Sequence, residues 1–181
     1  ELFNATLNDS DKLLTEEELI EVFQQYQIIV PSIADKISKK VLNNSGDDLK
    51  LIANFGAGTD HIDLETAKSK NIIVTNSPGL LADDTADLIM SLLLALPRRL
   101  YEGSRLVSEG NWNGWSPTNM LGKRIYGKRL GIIGMGRIGQ AVAKRARAFG
   151  ISIHYHNRKQ LPYSIEELYE ASYSSSLNEL V

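Results

Sequence analysis

The chain has 181 residues, 43% of them apolar, and 20 Lys and Arg against 22 Asp and Glu give a formal charge of −2. That length fits one domain, or one and part of a second, and enough of it is apolar to bury a core, which excludes a disordered chain. The balance of charge lacks the basic footprint of a nucleic-acid binder, and the absence of cysteine excludes a disulfide scaffold, a thiolate metal site and a cysteine nucleophile.

Short β-branched runs alternate with longer amphipathic stretches, the pattern of βαβ units around parallel sheets. Thr15 and Glu18 have capping-box spacing and predict a helix through about Gln25. A buried strand follows at Gln27–Val30, then a helix over Ser32–Leu42 that ends at Asn43-Asn44-Ser45-Gly46. Leu49–Phe55 reads as a strand closed by Gly56-Ala57-Gly58. Asp63 caps a short helix through Lys70, and the strand Ile72–Thr75 runs to the break at Pro78-Gly79. A domain boundary is expected near Pro78–Asp83, dividing the chain into 1–80 and 81–181.

Asp83 to about Glu109 reads as one long helix, its first half apolar on all sides and expected to be buried, with Pro97 bending or breaking it. Its longest apolar run, Leu88–Leu96, is interrupted by Ser91 and falls short of the roughly 20 residues a bilayer requires, so no membrane partner is expected. Gly110–Gly122 forms an irregular arm with Trp112, Trp115 and Pro117. Strand Arg129–Ile133, a glycine loop, helix Gln140–Phe149 and strand Ile151–His156 make a further unit. Ser164 with Glu167 predicts a capped short helix, a third strand is expected near Ala171–Ser175, and Leu177–Val181 opens another helix.

The strongest chemical signal is Gly134-Met135-Gly136-Arg137-Ile138-Gly139, a G-x-G-x-x-G that follows an apolar strand and opens a helix. Gly134 permits the tight turn, Gly136 lets a pyrophosphate approach the backbone, and Gly139 lets helix pack on strand. The helix start offers unpaired N–H groups and partial positive charge to the phosphates. About 20 residues beyond such a loop an acidic residue is expected on the ribose 2′-hydroxyl of NAD. Here the residues are Asn157-Arg158-Lys159, with no carboxylate. Asn tolerates a 2′-phosphate, and Arg and Lys can make charge-assisted bonds to it, so the expected cofactor is NADP, with NAD as the second choice.

The sequence resembles the D-isomer-specific 2-hydroxyacid dehydrogenases, most closely their glyoxylate/hydroxypyruvate reductase branch. The resemblance rests on Asn54-Phe55-Gly56-Ala57-Gly58-Thr59-Asp60-His61-Ile62-Asp63, on Thr75-Asn76-Ser77-Pro78-Gly79 running to Thr85-Ala86-Asp87, on Gly110-Asn111-Trp112-Asn113-Gly114-Trp115, on Gly131 to Arg145, and on Tyr155-His156-Asn157-Arg158. It implies a flavodoxin-like substrate domain, incomplete at its start, over 1–80. The first half of a Rossmann coenzyme domain follows over 81–181, with a dimerisation helix and arm over 83–122.

By position, the resemblance gives the Ala57 and Gly58 amides to the substrate carboxylate and Thr85 to a cofactor phosphate, although Thr85 could equally be a helix cap. It gives the Arg137 and Ile138 amides to the pyrophosphate. It implies a cytoplasmic homodimer acting on a small 2-keto acid, with Trp115 reaching the neighbour's substrate pocket or, alternatively, both Trp residues anchoring an interface. The family's Arg, Glu and acid His lie beyond the first Rossmann half. None of His61, His154 and His156 stands at the position of that acid, so no catalytic residue is carried over and the chain alone is expected to be inactive. Asp83, Asp84 and Asp87 cluster without ligand spacing, so no metal is expected. With no Met at the start, no recognisable signal segment and a helix opening at the end, the chain is expected to be an internal piece of a longer protein. Two other readings stay open: a dinucleotide-sensing, partner-binding module, and an inert fragment with an unpaired sheet edge.

Overall fold

The computed structural model describes residues 4–10 and 12–181; the opening Glu1–Phe3 and Asp11 lie outside it. The chain divides into two compact units, Glu1–Leu80 and Leu81–Val181. Among the described residues no helix is long and apolar enough to cross a membrane.

In the first unit, β1 (Ile28–Ile29), β2 (Leu51–Ala53) and β3 (Ile73–Thr75) pair in parallel and in chain order. The helices are α1 (Glu16–Gln25), α2 (Lys39–Asn43) and α3 (Leu64–Ser69). The Thr15 hydroxyl accepts the Glu18 amide while Glu18 accepts the Thr15 amide at 2.7 Å, completing the expected capping box. Asp63 caps α3 through the Thr66 amide at 2.8 Å. Phe23, Ile37, Leu42 and Ile52 are fully enclosed and join the helices to the sheet.

The predicted helix over Ser32–Leu42 is not continuous. Asp35 accepts both the amide and the hydroxyl of Ser32, folding the first half into a turn. Ile37 then bridges Ile62 in parallel, and Ser38 caps a helix that begins only at Lys39. Local hydrogen-bonding side chains outcompete helix there. The regular pairing of the first three strands is also shorter than the apolar runs suggest.

In the second unit, β4 (Arg129–Ile133), β5 (Ser152–His156) and β6 (Ala171–Tyr173) again pair in parallel and in order. This is the strand order of one mononucleotide-binding half of a doubly wound domain. With them are α4 (Ala82–Ala95), α5 (Leu100–Ser108), α6 (Arg137–Ala148), α7 (Tyr163–Tyr169) and the short α8 (Leu177–Leu180). The apolar face of α6 packs Val142, Ala143 and Ala146 with Ile132, Ile153 and Tyr155 of the sheet and with Ala86 and Met90 of α4.

The long helix predicted over 83–109 is two helices. It breaks around Pro97, and Arg99 takes a left-handed conformation at φ 54° before α5 begins. Burial of its first half is also corrected: only Ala86 and Met90 are enclosed, while Leu88 and Leu92 are 62% and 56% exposed. The helix buries one stripe, chiefly against α6, and leaves the opposite one bare. Two further boundaries differ. Helix α6 starts three residues earlier than the periodicity suggests, at Arg137, and α7 begins after Pro162 with no side-chain cap from Ser164.

Candidate functional site

Each unit carries a glycine-bearing turn just after a parallel strand. In the first unit it is Asn54–Gly58. Asn54 is buried, and its amide Nδ2 donates to the carbonyls of Gly56 at 3.1 Å and Gly58 at 2.8 Å. Asn76 donates to the Ala57 carbonyl at 2.7 Å, and the Ser77 amide donates to Gly56 at 3.0 Å. All three carbonyls of the turn are therefore held. Among the described residues, by contrast, the amides of Ala57 and Gly58 donate to no acceptor, and both residues are exposed. Free amides at a fixed turn are the chemistry of an anion site.

The glycines of this turn differ. A Cβ at Gly56 would collide with the Ile33 methyl, whereas at Gly58 the nearest atom is the Asp60 carboxylate at 3.8 Å. His61 Nε2 lies 3.0 Å from Asn54 Oδ1. Because Nδ2 of Asn54 is committed to carbonyls, that ring nitrogen is the donor. His61 thus orients Asn54. Neither Asn54, Asn76 nor His61 stands out as a site residue in the sequence; the only signal is their spacing about the two glycines.

In the second unit the loop is Gly134–Gly139. Gly134 has φ +94°, which only glycine adopts without strain. A Cβ at Gly139 would run into the Gly134 carbonyl oxygen and press on Ile132 Cγ2 at 3.2 Å. These two glycines are required by the fold. Gly136 is not: its φ of −80° suits any residue, and a Cβ there would meet nothing within 4 Å. The open space beside its backbone is the approach a pyrophosphate needs. Gly136 caps α6 without a side chain, and Gln140 is the first α6 amide to reach a backbone carbonyl, that of Gly136 at 2.9 Å. Among the described residues the Arg137 and Ile138 amides donate to no acceptor. The donor chemistry of this cradle and the sign of the helix dipole suit a dinucleotide's phosphates.

The strand end that follows is tied to the loop. Asn157 Oδ1 accepts the Met135 amide at 2.8 Å, and Met135 itself is buried beneath the turn. Arg158 and Lys159 are exposed, and neither pairs with an acidic group among the described residues. His156 Nδ1 lies 2.9 Å from the Ser174 carbonyl and its ring stacks on Tyr173, a structural assignment.

Thr85 sits inside the first turn of α4, its hydroxyl donating to the Leu81 carbonyl at 2.6 Å, and Leu81 holds the cap position. Its reading as a helix cap is corrected. Asp83 and Asp87 flank Arg145 of α6, at 3.0 and 2.5 Å, and Asp87 and then Asp83 raise the guanidinium pKa further. Among the described residues no group of three potential ligands could hold a metal. Trp115, on the arm, is 81% exposed.

Residues 90–181 match the sequence model of the family described as D-isomer specific 2-hydroxyacid dehydrogenase, NAD binding domain. The chain belongs to that family. It is 45% identical over 154 residues to a glyoxylate reductase of Thermococcus litoralis, covering 83% of this chain and 46% of that protein. It is 34% identical over 181 residues to a glycerate dehydrogenase of Hyphomicrobium methylovorum, covering 100% of this chain and 56% of that one. The structure of a glyoxylate reductase from Paecilomyes thermophila superposes with a TM-score of 0.78 at 32% identity, covering 91% of this chain and 52% of that one. The chain spans about half the length of the relatives it matches.

Proposed function

We propose that this chain is the carboxylate-binding and cofactor-binding part of an NADPH-dependent reductase of a small 2-keto acid, of the glyoxylate or hydroxypyruvate kind. The first unit serves as the substrate domain and the second as the coenzyme domain. The observation that carries the reading is Gly136, bare where neither backbone conformation nor packing requires glycine. The Arg137 and Ile138 amides hold the pyrophosphate, with Gly134 and Gly139 shaping the turn and Thr85 turning its hydroxyl from the Leu81 carbonyl to a phosphate. Arg158 and Lys159 take the 2′-phosphate, beside an Asn157 that repels no anion. The Ala57 and Gly58 amides bind the substrate carboxylate. When bound, the nicotinamide supplies the hydride.

The chain itself performs binding but no turnover. His61 is committed to Asn54 and His156 lies against Ser174, so neither is placed as a free acid. A second copy covers Leu88 and Leu92 of α4 and the arm bearing Trp115, giving a homodimer with Trp115 at the partner's substrate pocket.

Calorimetry on the 181-residue chain with NADPH and NADH tests the reading. Tighter binding of NADPH supports it; equal or tighter binding of NADH overturns the cofactor choice, and no heat with either overturns the function.

A further inference from the structure

The loop that carries Arg158 and Lys159 is anchored at both ends by phenols, the buried Tyr155 and the half-buried Tyr173. At its start Tyr173 Oη donates to the Asn157 carbonyl at 3.2 Å. Just past it, the Leu161 amide donates to Tyr155 Oη at 2.9 Å. Tyr155 in turn donates to Glu166 Oε1 of α7 at 2.7 Å, and Gln160 Nε2 donates to the two oxygens of the same carboxylate at 3.0 and 3.2 Å. The two phenol rings pack at 5.4 Å.

Tyr155 is 0% exposed, and its ring occupies space in the core of the second unit. A Phe would fill that space equally well. What the hydroxyl adds is a relay from α7 to the loop backbone: one bond accepted from Leu161, one given to Glu166. A buried hydroxyl is retained at a desolvation cost unless both bonds are made, and here both are. Meanwhile the two cations on the loop, Arg158 and Lys159, pair with no acidic group among the described residues. Two flexible side chains on a loose loop would lose much of their binding energy in ordering both loop and side chains; a held backbone removes the first of those costs.

We infer that Tyr155 and Glu166 are positioning residues for cofactor selectivity, forming a polar strut that fixes residues 157–161 so that Arg158 and Lys159 meet the 2′-phosphate of the adenosine ribose. This rests on the NADP reading, and the experiment separates the two. The probes are adenosine 2′,5′-bisphosphate and adenosine 5′-monophosphate, which differ only in the 2′-phosphate, titrated calorimetrically into the 181-residue chain. The wild-type ratio of affinities tests the NADP reading; the change of ratio in variants tests the strut.

Tyr155→Phe keeps the ring and removes the relay. The expected result is a fall of about tenfold in the preference for the bisphosphate, as for the loss of one preorganised contact, with monophosphate binding unchanged. Glu166→Ala lowers the ratio in the same way, whereas Glu166→Gln, which keeps an oxygen to accept the Tyr155 hydroxyl, retains it. Far-ultraviolet circular dichroism confirms that each variant is folded; should Tyr155→Phe fail that check, the partly exposed Glu166 pair decides. A wild-type preference that survives both Tyr155→Phe and Glu166→Ala overturns the strut and leaves the NADP reading standing. A wild-type chain with no preference overturns both.

Discussion

After β2 the turn at Ala57–Gly58 keeps its amides free because side chains occupy its carbonyls; after β4 the loop at Gly134–Gly139 keeps its amides free because a helix begins there. Both present bare N–H groups at the end of a parallel strand, the place where open α/β sheets bind ligands. The means differ. The first turn is held from outside, by a buried Asn54 that His61 orients and by Asn76 from beyond β3. The second is held largely from within, by glycine geometry and helix dipole, with side-chain ties only at Met135, whose amide donates to Asn157 and whose carbonyl accepts the Gln140 side chain, among the described residues. A cradle built of side chains is vulnerable to substitution of those side chains; a cradle built of backbone is vulnerable only to an added Cβ.

The sharpest break in this comparison comes at Gly139. Gly139→Ala sets a methyl group against the Gly134 carbonyl and Ile132, and the expected loss is about 1–3 kcal/mol, the cost of overpacking a close contact, read as a lower melting temperature. Gly136→Val is the complementary change. Its Cβ meets nothing within 4 Å, so the melting temperature falls less than for Gly139→Ala, by no more than the loss of a favourable cap residue, while the branched side chain fills the phosphate approach and dinucleotide affinity falls at least tenfold, about 1.4 kcal/mol. If Gly136→Val binds NADPH as the wild type does, the cradle is not the phosphate site. In the first unit, Asn54→Ala leaves the Gly56 and Gly58 carbonyls without their buried donor and is expected to cost about 1–3 kcal/mol. Gly58→Ala, in open space, leaves stability alone.

The same division explains what the sequence displays. The backbone-built cradle is legible, because its requirements are written as glycines at fixed offsets within a strand–loop–helix pattern. The alternation of strands and helices around parallel sheets and the caps at Thr15 and Asp63 are legible for the same reason: local spacing encodes local geometry. The side-chain-built turn shows its glycines but hides its supports, since Asn54 and His61 act through side-chain directions that spacing does not display and Asn76 arrives from beyond β3. Ser32–Leu42 misleads because its helical periodicity competes with an Asp35–Ser32 turn that periodicity does not register. The apolar first half of 83–109 misleads differently. Hydrophobicity reports that a surface prefers to be covered, not that this chain covers it, and Leu88 and Leu92 stay bare.

Acid offers the subtlest test of the contrast. The first unit fastens helix starts with carboxylates whose pKa values are lowered: Asp63 by the Thr66 amide, Glu18 by the Thr15 amide and hydroxyl, and Glu16 by the Ser38 hydroxyl and then Lys40. A carboxylate with a lowered folded pKa stabilises the fold fully above its unfolded value, 3.8 for Asp63 and 4.5 for the glutamates, and that stability is lost as pH falls through the folded value. Helix α6 has no acidic residue in its first turn and a glycine at its cap, so its start carries no such dependence. Nitrogen–proton correlation spectra recorded as pH is lowered should therefore show the Thr66 and Glu18 amides shifting before those of Gln140 and Val142. Asp63→Asn keeps a capping oxygen and removes the titration, so it should abolish the Thr66 shift while leaving that of Glu18 in place. Simultaneous movement of all four amides would mean that the starts of α1, α3 and α6 respond to a common acid transition, and that carboxylate caps do not set α1 and α3 apart from α6.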